Sequence, residues 1–104
     1  MRQGEIWVNN QLAGVLTEDD NGYHFNYQQE YLEQEKALPV SLTLPLQKDP
    51  FHSENLFPFF DGLIPEGWLL DIAHKNWKIN PRDRMGLLLT ICRDCIGNIS
   101  VRSI

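Results

Sequence analysis

Cysteine is nearly missing from this chain: its only thiols, Cys92 and Cys95, form a single Cys-x-x-Cys pair. One pair is too few ligands for a closed zinc site unless histidine joins, and His24, His52 and His74 are scattered without metal spacing. A redox pair normally opens a helix after a strand, whereas this one closes a helical pattern. Two small, semi-buried thiols are therefore expected. Basic residues are also few, nine against fourteen carboxylates, for a formal net charge of −5. Nucleic-acid binding rests on neutralising phosphates, so no direct nucleic-acid partner is expected. No apolar run approaches the roughly 18 residues of a membrane span. The opening Met1-Arg2-Gln3-Gly4-Glu5 lacks the apolar stretch of a signal peptide, which points to the cytoplasm. There is no glycine-rich phosphate loop and no nucleophile elbow around Ser41, Ser53, Ser100 or Ser103. No cofactor, metal or enzymatic activity is expected.

What is present fits one domain of 104 residues, 42% of them hydrophobic. The charge is uneven. Residues 1–66 hold eleven acidic and three basic side chains, residues 67–104 three acidic and six basic, so balances of −8 and +3 make up the total. An acidic half can steer a domain toward a basic partner, although a charged surface also simply keeps a protein soluble.

Glu5 to Val8 reads as a strand, Asn9-Asn10 as a turn, and Leu12 to Thr17 as a second strand. Glu18 to Gly22 is a polar loop ending in the tight-turn pair Asn-Gly. Tyr23, Phe25 and Tyr27 alternate with His24 and Asn26 as a half-buried strand. Gln28 to Lys36 suggests a short helix with Tyr31 and Leu32 inward. Leu38, Val40, Leu42, Leu44 and Leu46 recur at period two, with Pro39 and Pro45 on the opposite face. Proline lacks a ladder donor, so 38–46 is expected to be an edge strand or an extended segment over the core. Residues 47–58 read as a loop. A helix is expected from Pro65 to about Asn76, with Trp68, Leu69, Ile72 and Ala73 inward. A last helix follows, with Asn80 as cap, Pro81 first, Asp83 complementing the helix dipole, and Met85, Leu88, Leu89 and Cys92 as its stripe. Ile99-Ser100-Val101 closes as a strand. The expected fold is α+β: a small antiparallel meander with two C-terminal helices.

The densest stretch is Phe59-Phe60-Asp61-Gly62-Leu63-Ile64-Pro65-Glu66-Gly67-Trp68-Leu69. Glycine and proline allow or impose special backbone geometry, and a tryptophan after them becomes either a core anchor or a protruding contact. Asp61 and Glu66 could act as an acid/base pair, but capping of backbone N–H groups and of a helix N-terminus explains them more simply.

Four motifs together resemble a known family: Leu-Pro-Val-Ser-Leu-Thr-Leu-Pro-Leu from Leu38, Phe-Phe-Asp-Gly-Leu-Ile-Pro-Glu-Gly-Trp from Phe59, Asn-Pro-Arg-Asp from Asn80, and Arg-Asp-Cys-Ile-Gly from Arg93. The chain is similar, over nearly its whole length, to the N-terminal subdomain 1 of HipA-type serine/threonine kinases of bacterial toxin–antitoxin modules. Cys92 stands where that family usually has glycine. In such kinases the nucleotide-binding and catalytic residues lie in later parts of the chain, so none can be carried over onto this one. A free-standing copy resembles the HipS-type antitoxins of three-gene HipBST modules. There the resemblance implies neutralisation of a HipT-like kinase, with a HipB-like DNA-binding protein in the same complex. A fragment of a full-length HipA-type kinase would read the same way. It would then be a non-inhibitory structural subdomain that docks a HipB-like partner.

On the antitoxin reading, the expected partner surface is Phe60, Asp61, Leu63, Ile64, Glu66, Gly67, Trp68 and Leu69. Trp68 would be the anchor, because interface hot spots are enriched in tryptophan. Gly67 would admit a close backbone, and Asp61 and Glu66 would meet basic groups of a nucleotide pocket. Inhibition would come from plugging the kinase site or blocking its closure. Periodicity alone would instead make Trp68 a core anchor against Ile72. A small enzyme built on Asp61, Glu66 and His52 is the remaining class.

Overall fold

The computed structural model describes residues 1–64, 83–91 and 99–104. Their elements run β1 (Arg2–Val8), β2 (Gln11–Asp19), β3 (Gly22–Tyr27), α1 (Gln29–Leu32), β4 (Phe51–Ser53), α2 (Pro58–Asp61), α3 (Arg84–Ile91) and β5 (Ile99–Ser103). The strands form one antiparallel sheet in the order β4-β3-β2-β1-β5. The architecture is the α+β meander expected from the sequence. Of its two C-terminal helices, the one expected from Pro65 lies outside the described residues.

The first two hairpins are made by local chemistry. Asn9 and Asn10 both take positive φ (51° and 65°), the left-handed pair that a two-residue hairpin turn requires and that asparagine tolerates. In the second, the strands run further than the sequence suggests. Asp19 pairs with Gly22, leaving only Asp20-Asn21 as the turn, and the Asn21 amide donates to Asp19 Oδ1 at 2.8 Å. Gly22 sits at φ +115°, and a Cβ there would meet the Ser53 carbonyl oxygen at 2.5 Å. Glycine is needed at that corner for both reasons.

One sheet face carries the core. Ile6, Leu16, Phe25 and Val101 are fully buried there, joined by Phe60 from α2 and by Met85, Leu87 and Leu88 from α3. Phe25 and Phe60 meet with ring centroids 5.3 Å apart, and Phe25 also touches Tyr27 edge-on at 4.9 Å. Alternate residues point to the other face, where the Arg102 guanidinium lies 4.2 Å over the Trp7 ring. His24 and His52, distant in sequence, face each other there across β3 and β4, with centroids 4.9 Å apart.

Four expectations need correction. Residues 38–46 are not a strand. The Leu44 amide returns to the Ser41 carbonyl at 3.1 Å, and the Thr43 amide is taken by Ser41 Oγ at 3.2 Å. This tight turn breaks period two: Val40 and Leu44 are buried, whereas Leu38, Leu42 and Leu46 are exposed. Residues 47–58 are not all loop, because Phe51–Ser53 pairs with β3 as β4. The helix expected over 28–36 is a single turn, with Tyr31 buried and Leu32 half-buried. In α3, Leu87 is fully buried although the i, i+3, i+4 stripe omits it, and Leu89 is only partly buried. Asn80, Pro81 and Cys92 lie outside the described residues. α3 nevertheless has its own cap: Asp83 Oδ1 accepts from the Gly86 amide at 3.1 Å, the side-chain bond of an N-cap aspartate.

Candidate functional site

The corner that begins at α2 is built from its proline outward. Pro58 takes the first helical position, where its missing N–H costs nothing. The Asp61 and Gly62 amides return to the Phe57 and Pro58 carbonyls at 3.0 and 2.9 Å. The Leu63 and Ile64 amides close onto Phe60 and Asp61 at 3.1 and 3.2 Å. Gly62 has φ −68°, ordinary helical backbone, so this glycine does not create a special corner.

This geometry sorts the expected contact residues. Phe60 is wholly inaccessible, with Phe57 and Phe59 against it at 6.0 and 5.3 Å. Leu63 and Ile64 are 5% and 7% exposed. These three side chains belong to the chain's own core and have almost no surface left for a partner. Among the described members of the group, Asp61 faces solvent, with its side chain 42% exposed. Its Oδ1 accepts from Arg84 Nε at 2.5 Å, so it pairs with α3. Glu66, Gly67, Trp68 and Leu69 lie outside the described residues.

Beside this corner is a charge network that sequence reasoning missed. Arg2 grips Asp83 with both terminal nitrogens at 2.7 Å each, and its Nε donates to Glu18 Oε1 at 2.7 Å. Tyr23 donates to the other oxygen of Glu18 at 3.0 Å. The fork geometry of guanidinium makes this double grip possible, and lysine would not reproduce it. Arg2 thereby ties β1 and β2 to the start of α3. With Glu54, Asn55 and Leu56, the residues Glu18, Tyr23, Asp61, Asp83 and Arg84 line an open groove of about 520 Å³. The only signal for the network was the surplus of carboxylates in residues 1–66. Its partners are 16 and 81 residues apart, beyond the reach of any local pattern.

The electrostatics follow from these contacts. Hydrogen bonds from Arg2 hold the Asp83 carboxyl below its usual range, and the reciprocal bonds keep Arg2 still more firmly protonated. Asp19 is also lowered, chiefly by the Asn21 amide. Burial raises the Tyr23 phenol. A depressed carboxylate stabilises the fold above its unfolded value near 3.9 and loses that contribution as pH falls through the folded value. We therefore expect urea midpoints to drop below about pH 4. Arg2→Gln should lower stability by about 1–2 kcal/mol at pH 7, a charged hydrogen-bond contribution discounted for solvent exposure. It should also flatten the acid limb, and an unchanged limb would show that Asp83 does not depend on Arg2.

Of the three residues in the small-enzyme reading, Glu66 lies outside the described residues and the other two are placed apart. His52 is on the outer sheet face, its Nε2 2.8 Å from the Asn21 carbonyl, whereas Asp61 sits with Arg84 on the core side. Among the described residues no group of three His, Cys, Asp or Glu is placed to hold a metal ion. None of the described helices is long and apolar enough to cross a membrane.

Comparison with known proteins agrees with this architecture. The model of the HipA N-terminal domain family matches residues 4–102. A solved structure described as the N-terminal domain of HipA toxin superposes with a TM-score of 0.76 at 32% identity, covering 100% of this chain and 93% of that one. An uncharacterized protein of Haemophilus influenzae (strain ATCC 51907 / DSM 11121 / KW20 / Rd) is 33% identical over 102 residues, 98% of this chain and 92% of that protein. The putative kinase Y4mE of Sinorhizobium fredii (strain NBRC 101917 / NGR234) is 29% identical over 97 residues, and the match spans only 23% of its length. A family match over almost the whole chain, with an agreeing fold, places this protein in the HipA N-terminal domain family.

Proposed function

We propose that this protein is a cytoplasmic, non-enzymatic antitoxin that binds a HipT-like serine/threonine kinase and holds it inactive, as part of a complex that also contains a HipB-like DNA-binding protein. The observation that carries the reading is one module in two settings. It matches 92% of the Haemophilus influenzae relative and only 23% of a putative kinase. A module that belongs to a kinase in one protein, and makes up nearly all of another, is suited to engage a kinase in trans. The contact centres on the end of the α2 corner, where Asp61 is exposed and Glu66, Gly67, Trp68 and Leu69 follow in sequence.

Co-expression with a HipT-like kinase tests the reading. Restored growth together with a co-purifying complex is the expected result. Trp68→Ala should then weaken the complex at least tenfold while thermal stability holds, as for an interface anchor. A mutant that unfolds would make Trp68 a core residue and remove it from the contact.

The match to 23% of a putative kinase also favours a second reading, a structural subdomain that docks a HipB-like partner without inhibiting anything. A stable complex without rescued growth would select it.

A further inference from the structure

We propose that Leu42 is a preformed apolar anchor, seated in an apolar, basic-rimmed pocket of the kinase-type partner; this rests on the kinase-binding reading above. Among the described residues the large exposed hydrophobics are Met1, Leu38, Leu42, Leu46 and Ile104. Two of these are the ends of the chain, and the other three fall within nine residues. Single surface leucines are ordinary, but a cluster on a fixed scaffold is a different case.

The scaffold is fixed from below. The buried Tyr27 hydroxyl accepts from the Val40 amide at 3.0 Å and donates to the Leu44 carbonyl, clasping both sides of the turn. Ser41 and Thr43 hydroxyls meet at 3.0 Å across its tip. Tyr31 donates to the Leu38 carbonyl at 2.8 Å, tying the turn to α1. Val40 and Leu44 plug the core, so Leu42 points away from it and is 97% exposed. A backbone held this way has lost its freedom before binding, which lowers the entropic penalty of association.

Charge selects the occupant. Glu30, Glu33 and Glu35, against the single Lys36, are exposed on and just after α1, whose Tyr31 bonds Leu38 just ahead of the turn. An acidic element hydrogen-bonded to the segment that carries the apolar knob complements an apolar pocket rimmed by lysine or arginine. A second copy of this acidic chain would set like charges together.

The test is calorimetric titration of the full chain into a HipT-like kinase, with wild type, Leu42→Asp and Leu42→Met. The aspartate variant should bind at least tenfold more weakly with an unchanged melting temperature, since the site is solvent-exposed, and methionine should restore most of the affinity. Glu33→Lys with Glu35→Lys should slow association and reduce its dependence on salt. Affinities for Leu42→Asp within twofold of wild type would overturn the anchor while leaving kinase binding in place. If wild type does not bind, both readings fall. Sedimentation that shifts from dimer to monomer in Leu42→Asp, with kinase affinity intact, would overturn the proposal in favour of self-association.

Discussion

Phe60→Ala is expected to destabilise the protein by about 3–5 kcal/mol, the range for deleting a buried phenylalanine ring. Phe60 is wholly inaccessible and bridges Phe25 of the sheet at 5.3 Å to Phe57 and Phe59 around α2. Removing it leaves a void lined by three rings that cannot all collapse inward. Small domains have about 5–15 kcal/mol in total, so the variant should be close to unfolding in the warm range. A drop of more than about 10 °C in melting temperature, read by calorimetry, is the expected result. The measurement also separates two roles that look identical in sequence. A partner contact at this position would leave stability intact and reduce binding alone. A melting temperature within about 2 °C of wild type would therefore return Phe60 to the surface. Phe60→Leu should retain most of the stability, because it keeps most of the buried volume.

Phe60 also shows how much of the candidate site was legible in the sequence. Its motif carried the family, and the family match then covered residues 4–102. The motif could not say which of its side chains face inward. Phe60, Leu63 and Ile64 look like contact residues in one dimension, yet one helical turn after Pro58 directs all three into the core. Elements governed by their own residues were readable. The two asparagines at positive φ, the Tyr23/Phe25/Tyr27 alternation and the closing Ile99–Val101 strand needed no long-range information. Elements governed by distant partners were not. Phe51–Ser53 is a strand because β3 offers it an edge, and Arg2 finds Asp83 only once the chain has folded. Residues 38–46 failed for the same reason: period two was real in the sequence, but a hydroxyl 13 and 17 residues upstream of its two partners decided the backbone.

That hydroxyl carries the second large effect. Tyr27→Phe should cost about 2–4 kcal/mol, because it strands two backbone groups at once in a dry site, each worth about 1–3 kcal/mol when left unpaired. Tyr27 is 6% exposed, and its single oxygen serves both the Val40 amide and the Leu44 carbonyl. The ring contacts to Phe25 and Tyr31 would survive the change, so the loss belongs to the turn rather than to the core. Hydrogen exchange at the Val40 amide should accelerate far more than exchange along β1. Tyr31→Phe is the control. Among the described residues its hydroxyl meets the partly buried Leu38 carbonyl and amide, so a smaller effect is expected. Alkaline pH supplies an independent check. Burial raises the Tyr27 phenol above its ordinary value, so folding favours the protonated form. Its contribution is fully present below about pH 10 and is lost as pH rises through the folded value. Tyr23 is raised for the same reason, so the alkaline limb should shrink in Tyr27→Phe without vanishing. An alkaline limb identical to wild type, with slow exchange at Val40, would mean that the turn holds itself. The rigidity of the Leu42 tip would then come from Ser41 and its neighbours instead of from the buried tyrosine.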